Sequence, residues 1–175
     1  ALLFLTLLIK PLRDRSKLLF VMFCSLDRPE DRPLTLVWLY TQFIASYLVL
    51  IPLLVYFESH DMLPLLMIII IANGVGDGLA EPLGIRFGKR KYTTYALFTK
   101  EKYVRSYVGS ACVFVTTFFA ILAFQQYFNS TQLIVALITI PILITLAEAF
   151  SPHTWDSPLI YAVGGVSMMS IVIFL

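Results

Sequence analysis

Charge is scarce in this sequence. Asp, Glu, Lys and Arg together make up 14% of its 175 residues, and 59% of the chain is hydrophobic. A soluble domain carries about 25% charged residues, so the composition excludes a soluble globular protein. Because no polar stretch is long enough to fold separately, we expect a single integral membrane domain over 1–175 and no nucleic-acid partner.

Cysteine and histidine are also rare. The two cysteines, Cys24 and Cys112, are too few for a disulfide framework, and their apolar surroundings predict buried free thiols. The two histidines, His60 and His153, are too scattered to be interpreted as a metal-binding pair. Any metal chemistry in this chain would therefore depend on carboxylates.

Long apolar runs dominate the rest of the sequence. A membrane-spanning helix needs about 20 mostly apolar residues. Five segments approximate that length, namely Leu34–Phe57, Met62–Ala80, Tyr107–Phe124, Gln132–Phe150 and Leu159–Leu175. The run Leu18–Leu26 is too short to cross and is predicted to be an interfacial helix.

The chain opens without Met inside a further apolar segment, Ala1–Ile9. No basic region precedes this segment and no cleavage site follows it, so we interpret it as a truncated span rather than a signal peptide. The predicted fold is an all-α, polytopic membrane helical bundle. It has five full spans, a truncated N-terminal span and one short interfacial helix.

The distribution of basic residues predicts the orientation. Every Lys and Arg lies in one of three stretches, Lys10–Lys17, Arg28–Arg32 and Arg86–Arg105. The links Glu58–Asp61 and Gln125–Thr131 contain none. Since excess Lys and Arg mark the cytoplasmic side, threading the spans in order places all three stretches, and the link at 151–158, on the cytoplasmic (or stromal) side.

Two carboxylates stand beside glycines at the end of the second predicted span, in Gly76-Asp77-Gly78-Leu79-Ala80-Glu81. A carboxylate at the centre of a membrane helix costs about 2.5–3.5 kcal/mol and is rarely kept without a function. Asp77 and Glu81 are four residues apart, so they share one face of a helix. The glycines that follow Asn73 predict that the helix breaks or unwinds near the cytoplasmic surface.

A second pair of acids lies near the end of the chain. Glu148 falls in the last turn of a predicted span, and Asp156 lies in the link that follows. The predicted topology places both on the same side as Asp77. Mg²⁺ in proteins takes one or two carboxylates plus substrate phosphates. We therefore predict Asp77 and Asp156 as metal ligands, with Glu81 and Glu148 as further catalytic candidates.

The loop from Arg86 to Arg105 carries seven Lys or Arg against one acid, Glu101. Arg binds phosphate oxygens bidentately and Lys acts as a point charge. The start of the following span offers free backbone amides, which also bind anions. The candidates for phosphate contact are Arg86, Lys89, Arg90, Arg105, Ser106 and Ser110. The basic charge also acts as a topology signal and attracts anionic headgroups, and we expect these effects to apply together with phosphate contact.

Three blocks in a fixed order resemble the CTP-dependent polyprenol kinase family, which includes dolichol, phytol and farnesol kinases and is related to phosphatidate cytidylyltransferase. The blocks are Gly76-Asp77-Gly78-x-Ala80-x-x-x-Gly84-x-x-Phe87-Gly88-Lys89, then Arg105-Ser106-x-x-Gly109-Ser110, then Glu148 with Asp156. The resemblance implies an all-helical membrane enzyme that uses CTP and Mg²⁺ to phosphorylate an isoprenoid lipid alcohol.

The resemblance also implies roles for individual residues. By the matching positions, Asp77 would bind metal or nucleotide, Lys89 would bind the phosphates, and Ser106 to Ser110 would form a phosphate-binding turn. Asp156 would be the second acidic element. The set of predicted nucleotide contacts is Asn73, Gly76, Gly78, Gly84, Arg86, Gly88, Lys89, Arg105, Ser106 and Ser110.

Other functions are compatible with the sequence. A cytidylyltransferase-like enzyme would use the same site to transfer a nucleotide to a lipid phosphate. An ion-coupled transporter would use Asp77 and Glu148 at a broken helix, but the other half of each span is almost wholly apolar. The expected partners are a nucleoside triphosphate, an isoprenoid lipid alcohol and membrane lipids, and a homo-oligomer is compatible with the sequence.

Overall fold

Helices account for most of the chain, as its long apolar runs predict. The computed structural model describes residues 2–27, 32–95, 102–151 and 155–175. These residues fall into two units, 1–47 and 48–175. The helix α4, Thr35–Ser59, runs through the boundary between the units. His153 lies outside the described residues.

The first unit contains short helices, α1 (Leu2–Leu7), α2 (Lys10–Arg13) and α3 (Lys17–Leu26), before α4 begins. The ten residues of α3 extend about 15 Å, which is too short to cross a bilayer, as predicted. None of the α3 residues is buried. The predicted burial of Cys24 is therefore wrong, and Cys112 in the second unit is partly buried; both thiols are free.

The second unit contains the remaining helices. These are α5 (Leu63–Ile71), α6 (Gly78–Phe87), α7 (Tyr107–Ala123), α8 (Ser130–Phe150) and α9 (Asp156–Phe174), with a π-helical turn at Ala72–Asp77 and a 3₁₀ turn at Gln125–Tyr127. The long helix α7 packs against α8, α6 and the π-helical turn, and α9 packs against α8 and α5. Their buried side chains, such as Ile69, Ile121 and Ile144, form one apolar core.

Four segments of the described chain are long and apolar enough to cross a membrane, namely Thr35–Ser59, Leu63–Phe87, Ser130–Phe150 and Asp156–Phe174. The prediction of a helical membrane protein is confirmed at this level. The one remaining predicted span, Tyr107–Phe124, corresponds to α7. With 17 residues, α7 extends about 25 Å, which is shorter than the hydrocarbon core of about 30 Å.

Of the predicted break or unwinding after Asn73, the structure shows a local unwinding into a π-helical turn, and the helix continues from Leu63 to Phe87. The physical reason is packing against α7. A Cβ atom at Gly76 would lie 3.2 Å from Cα of Val113, so this glycine allows the two backbones to approach closely. The glycine-rich segment therefore widens the helix without ending it.

The basic loop predicted between Arg86 and Arg105 contains a β-hairpin, which the all-α prediction lacks. Strands β1 (Lys91–Tyr95) and β2 (Lys102–Ser106) pair antiparallel, with Lys91 opposite Ser106 and Tyr92 opposite Arg105. The aromatic and Thr side chains of β1 are typical of strands. The hairpin places Arg105 two residues before the start of α7.

Candidate functional site

Arg105 is the centre of a polar cluster that joins three elements of the second unit. Its Nη1 atom lies 3.0 Å from Oε1 of Glu148 at the end of α8, and its Nη2 atom lies 3.4 Å from Oδ2 of Asp156 at the start of α9. Nη2 also donates to the Oγ of Ser151 at 3.2 Å. One arginine from β2 therefore links two helix ends that are separated by the link at 151–155.

Glu148 is held on both of its carboxylate oxygens. While Arg105 contacts Oε1, the hydroxyl of Ser110 on α7 donates to Oε2 at 3.5 Å. Glu148 itself is 3% exposed, at the last turn of an apolar helix. A buried carboxylate is tolerated only when it is paired and hydrogen-bonded, and both conditions are met here.

The charge of Asp77 also acts on the same arginine. Burial disfavours the charged form of Arg105, but the negative charges of Glu148 and Asp156, with a smaller contribution from Asp77, raise the pKa of its guanidinium. Asp77 therefore lies close enough to Arg105 to interact with its charge. Carboxylates from the π-helical turn, α8 and α9 converge on one cation, which they outnumber.

Two side chains of the hairpin, which the sequence did not single out, form hydrogen bonds next to the polar cluster around Arg105. The Thr94 hydroxyl donates to the carbonyl oxygen of Ala149 at 2.9 Å, and the Tyr92 hydroxyl lies 2.5 Å from the Oγ of Ser110. Burial raises the pKa of Tyr92. The aromatic and Thr content of Lys91–Tyr95 could have predicted a strand here, but the basic residues around it were interpreted as a loop.

Ser106 and two of the predicted nucleotide-binding glycines hold α6 against α7. The Ser106 Oγ caps α7 by accepting a hydrogen bond from the backbone N–H of Gly109 at 3.0 Å. Cβ atoms at Gly84 and Gly88 would collide with the Ser106 side chain. The structure thus gives these residues a packing role, and Ser106 already uses its hydroxyl to cap the helix.

Gly78 and Gly74 differ from those glycines. A Cβ atom built at either position would have no described atom within 4 Å. Packing within the described chain therefore does not require glycine at these two positions, although Gly78 was predicted to contact the nucleotide.

Of the remaining predicted residues, Asn73, Glu81 and Arg86 lie on the long helix Leu63–Phe87, and Lys89 and Arg90 follow its end. Glu81, Arg86 and Lys89 are exposed, as is Arg90, and the Arg86 guanidinium carbon lies 5.4 Å from the centre of the Phe87 ring. Asn73 is partly buried, and its Nδ2 donates to the Tyr161 hydroxyl on α9 at 3.0 Å. These basic side chains are therefore exposed at and beyond the end of this helix.

Asp77 and Asp156 were predicted as ligands of a bound magnesium ion. No group of three or more His, Cys, Asp or Glu side chains within the described residues is arranged to hold a metal ion. Oδ2 of Asp156 is already paired with Arg105. The assignment of Asp77 and Asp156 as magnesium ligands stays a prediction, in which substrate phosphates supply the other ligands.

Comparison of the chain with known protein families, with curated proteins and with solved structures returns no match.

Proposed function

We propose that this chain is a membrane-embedded kinase that transfers the terminal phosphoryl group of a nucleoside triphosphate, CTP by resemblance, to an isoprenoid lipid alcohol such as phytol, farnesol or a polyprenol. The observation that carries the proposal is the convergence of Glu148, Asp156 and Asp77 on Arg105. Carboxylates gathered at the ends of apolar helices, next to exposed basic residues, suit a charged substrate at a membrane surface.

The proposal includes five membrane crossings. Because Arg105 contacts Glu148, the start of α7 lies beside the end of α8, so the two helices run antiparallel. The helix α7 then crosses the same layer as α8, and local thinning of the bilayer accommodates its 17 residues. The site lies on the cytoplasmic (or stromal) side, since the exposed Arg86, Lys89 and Arg90 follow the positive-inside rule.

In this proposal the basic side chains and the carboxylates have separate tasks. Arg86 and Lys89 bind the phosphate oxygens of the incoming nucleotide. Asp77 and Asp156 are the carboxylates that a magnesium–nucleotide complex would meet, and that ion would neutralise charge on the phosphates. Arg105 is a positioning residue, because it holds Asp156 and Glu148 in place and remains charged.

The reaction transfers one phosphoryl group. The hydroxyl oxygen of the lipid alcohol forms a bond to the γ-phosphorus, and the bond from that phosphorus to the β–γ bridging oxygen breaks. The electron pair leaves with the nucleoside diphosphate. The hydroxyl proton passes to a carboxylate of the site, and Glu81 and Glu148 are the candidate general bases.

Product identification tests this function. Purified protein in lipid nanodiscs is incubated with CTP or ATP, Mg²⁺ and, separately, phytol, farnesol, a polyprenol and phosphatidic acid, and the lipid products are identified by mass spectrometry. We expect a monophosphate ester of one of the alcohols, lost in Asp77→Asn and retained in the matched control Asp61→Asn. A cytidylylated lipid formed from phosphatidic acid, or no modified lipid at all, would contradict the proposal.

A further inference from the structure

We infer that Asn73, in the π-helical turn, accepts a hydrogen bond from the hydroxyl group of the lipid alcohol and so positions it for phosphoryl transfer. The inference rests on the proposed function and assigns the acceptor side of the site. It gives Asn73 a different task from the nucleotide contact that the sequence predicts.

The first observation is an unpaired acceptor inside the helical core. The Nδ2 atom of Asn73 donates to the Tyr161 hydroxyl at 3.0 Å. Its Oδ1 atom is buried and has no hydrogen-bond partner among the described residues. Because an unpaired buried acceptor is costly in apolar surroundings, a ligand that donates an O–H group would be stabilised here.

The second observation is the local backbone. Asn73 lies in the six-residue π-helix Ala72–Asp77, and π-helical turns occur frequently at functional sites. One side of this turn packs on α7 through Gly76. Gly74 and Gly78 have no described atom within 4 Å of a Cβ position, so the backbone beside Asn73 is open to a chain lying against it.

The third observation is the position of Asn73 relative to the carboxylates. Asn73 precedes Asp77 by four residues, which is about one helical turn, or roughly 6 Å. Its partner Tyr161 follows Asp156 by five residues on α9, or about 7.5 Å along that helix. A hydroxyl group held at Asn73 and Tyr161 would therefore lie about one turn below the acidic cluster, on the bilayer side.

An isoprenoid alcohol fits these three features better than a nucleotide does. Its hydroxyl supplies the single donor that Oδ1 lacks, and its hydrocarbon tail needs no polar partner. The residues around the pair are apolar, since Ile69 and Ile144 lie against Gly164, one turn from Tyr161. A triphosphate would bring several charges into this part of the helical bundle.

A binding experiment without nucleotide tests the inference. Protein in nanodiscs is labelled with a photoreactive, diazirine-bearing farnesol. Two unlabelled competitors of this labelling are then compared, namely farnesol and the matched hydrocarbon that lacks the hydroxyl. We expect farnesol to compete about tenfold better in the wild type, as one buried hydrogen bond implies. In Asn73→Leu this preference should disappear. Asn73→Ala, which adds no volume, provides the same comparison if the leucine disturbs packing.

Thr139→Val is the matched control, because it removes an intramembrane hydroxyl that already donates to the Val135 carbonyl at 2.8 Å. It should keep the preference for the alcohol. An unchanged preference in folded Asn73→Leu and Asn73→Ala would overturn the inference and would mean that water satisfies Oδ1.

The outcomes also separate this inference from the proposed function. If the wild type phosphorylates an alcohol, Asn73→Leu should raise the KM for that alcohol about tenfold and leave the KM for CTP unchanged. An unchanged alcohol KM would overturn the Asn73 assignment alone. If the wild type binds farnesol through Asn73 but forms no phosphate ester, the alcohol site stands and the kinase proposal fails.

Discussion

Replacing Arg105 with Met tests the cluster through protein stability. The substitution keeps an unbranched side chain of similar length but removes the charge that faces Glu148 at 3.0 Å and Asp156 at 3.4 Å. It also removes the hydrogen bonds to Ser151 and to the backbone carbonyl of Glu148. The carboxylate of Glu148 would then be buried without a compensating charge.

The magnitude follows from how deeply each partner is buried. Removing one member of a fully buried ion pair costs about 3–5 kcal/mol. The side chain of Glu148 is 4% exposed, but those of Arg105 and Asp156 are 24% and 17% exposed, so water recovers part of the loss. We therefore expect the lower end of that range, about 3 kcal/mol, or a Tm lower by about 6–12 °C for a chain of this size.

Thermal unfolding in detergent, followed by tryptophan fluorescence, measures this effect. The double variant Arg105→Met with Glu148→Gln removes the unpaired charge, and it should recover most of the lost stability. Arg86→Met is the matched control, since Arg86 is exposed, and it should change the free energy of unfolding by less than about 0.5 kcal/mol. The reasoning is refuted if Arg105→Met is as stable as Arg86→Met, or if the double variant is no more stable than Arg105→Met.

Three further predictions concern other parts of the chain. Gly78→Ala should stabilise the protein by up to about 1 kcal/mol, whereas Gly76→Ala should destabilise it because its Cβ meets the α7 backbone; chemical denaturation compares the two variants. Asp77→Asn should abolish turnover without changing the gel-filtration profile, and wild-type rates would remove Asp77 from the mechanism. The Thr35 hydroxyl lowers the pKa of Asp27 below 3.8, so Asp27 stabilises the fold above that pH and loses this contribution as pH falls through the lower folded pKa. Thr35→Val should move the Asp27 pKa back towards 3.8 in an NMR titration.

The helices could be predicted from the sequence because apolar length alone determines where a chain can cross a bilayer. The predicted run Leu34–Phe57 corresponds closely to the helix Thr35–Ser59, and Gln132–Phe150 to Ser130–Phe150. Local signals at the ends of helices are weaker. The capping box of Asn129 and Gln132, for example, places the start of α8 two residues before the predicted run.

The interior of the site depends on contacts between distant residues, which no local pattern contains. Arg105 and Glu148 are 43 residues apart, and Asn73 and Tyr161 are 88 residues apart. The sequence shows that acids and bases occur near helix ends, but it does not show that Arg105 pairs with carboxylates. It was predicted to contact phosphate, and the structure shows it holding Glu148 and Asp156.

The glycines near Asp77 also show that a local sequence pattern does not reveal contacts with distant residues. Gly76, Gly78 and Gly84 belong to one motif and look equivalent in the sequence. The structure distinguishes them. Gly76 packs closely against α7, and Gly84 packs against Ser106, the residue before α7, whereas Gly78 has open space beside it. Whether a glycine serves packing or ligand approach is decided by the neighbouring helix, which lies elsewhere in the chain.

Position-specific labelling tests the central claim most directly. Parallel reactions with the accepted lipid alcohol use CTP labelled with ³²P at either the α or the γ position, and the lipid fraction is counted. Transfer of the terminal phosphoryl group predicts label in the lipid from γ-labelled CTP only, with one nucleoside diphosphate formed per lipid phosphate. Label in the lipid from α-labelled CTP, with release of pyrophosphate, would show nucleotidyl transfer and contradict the account.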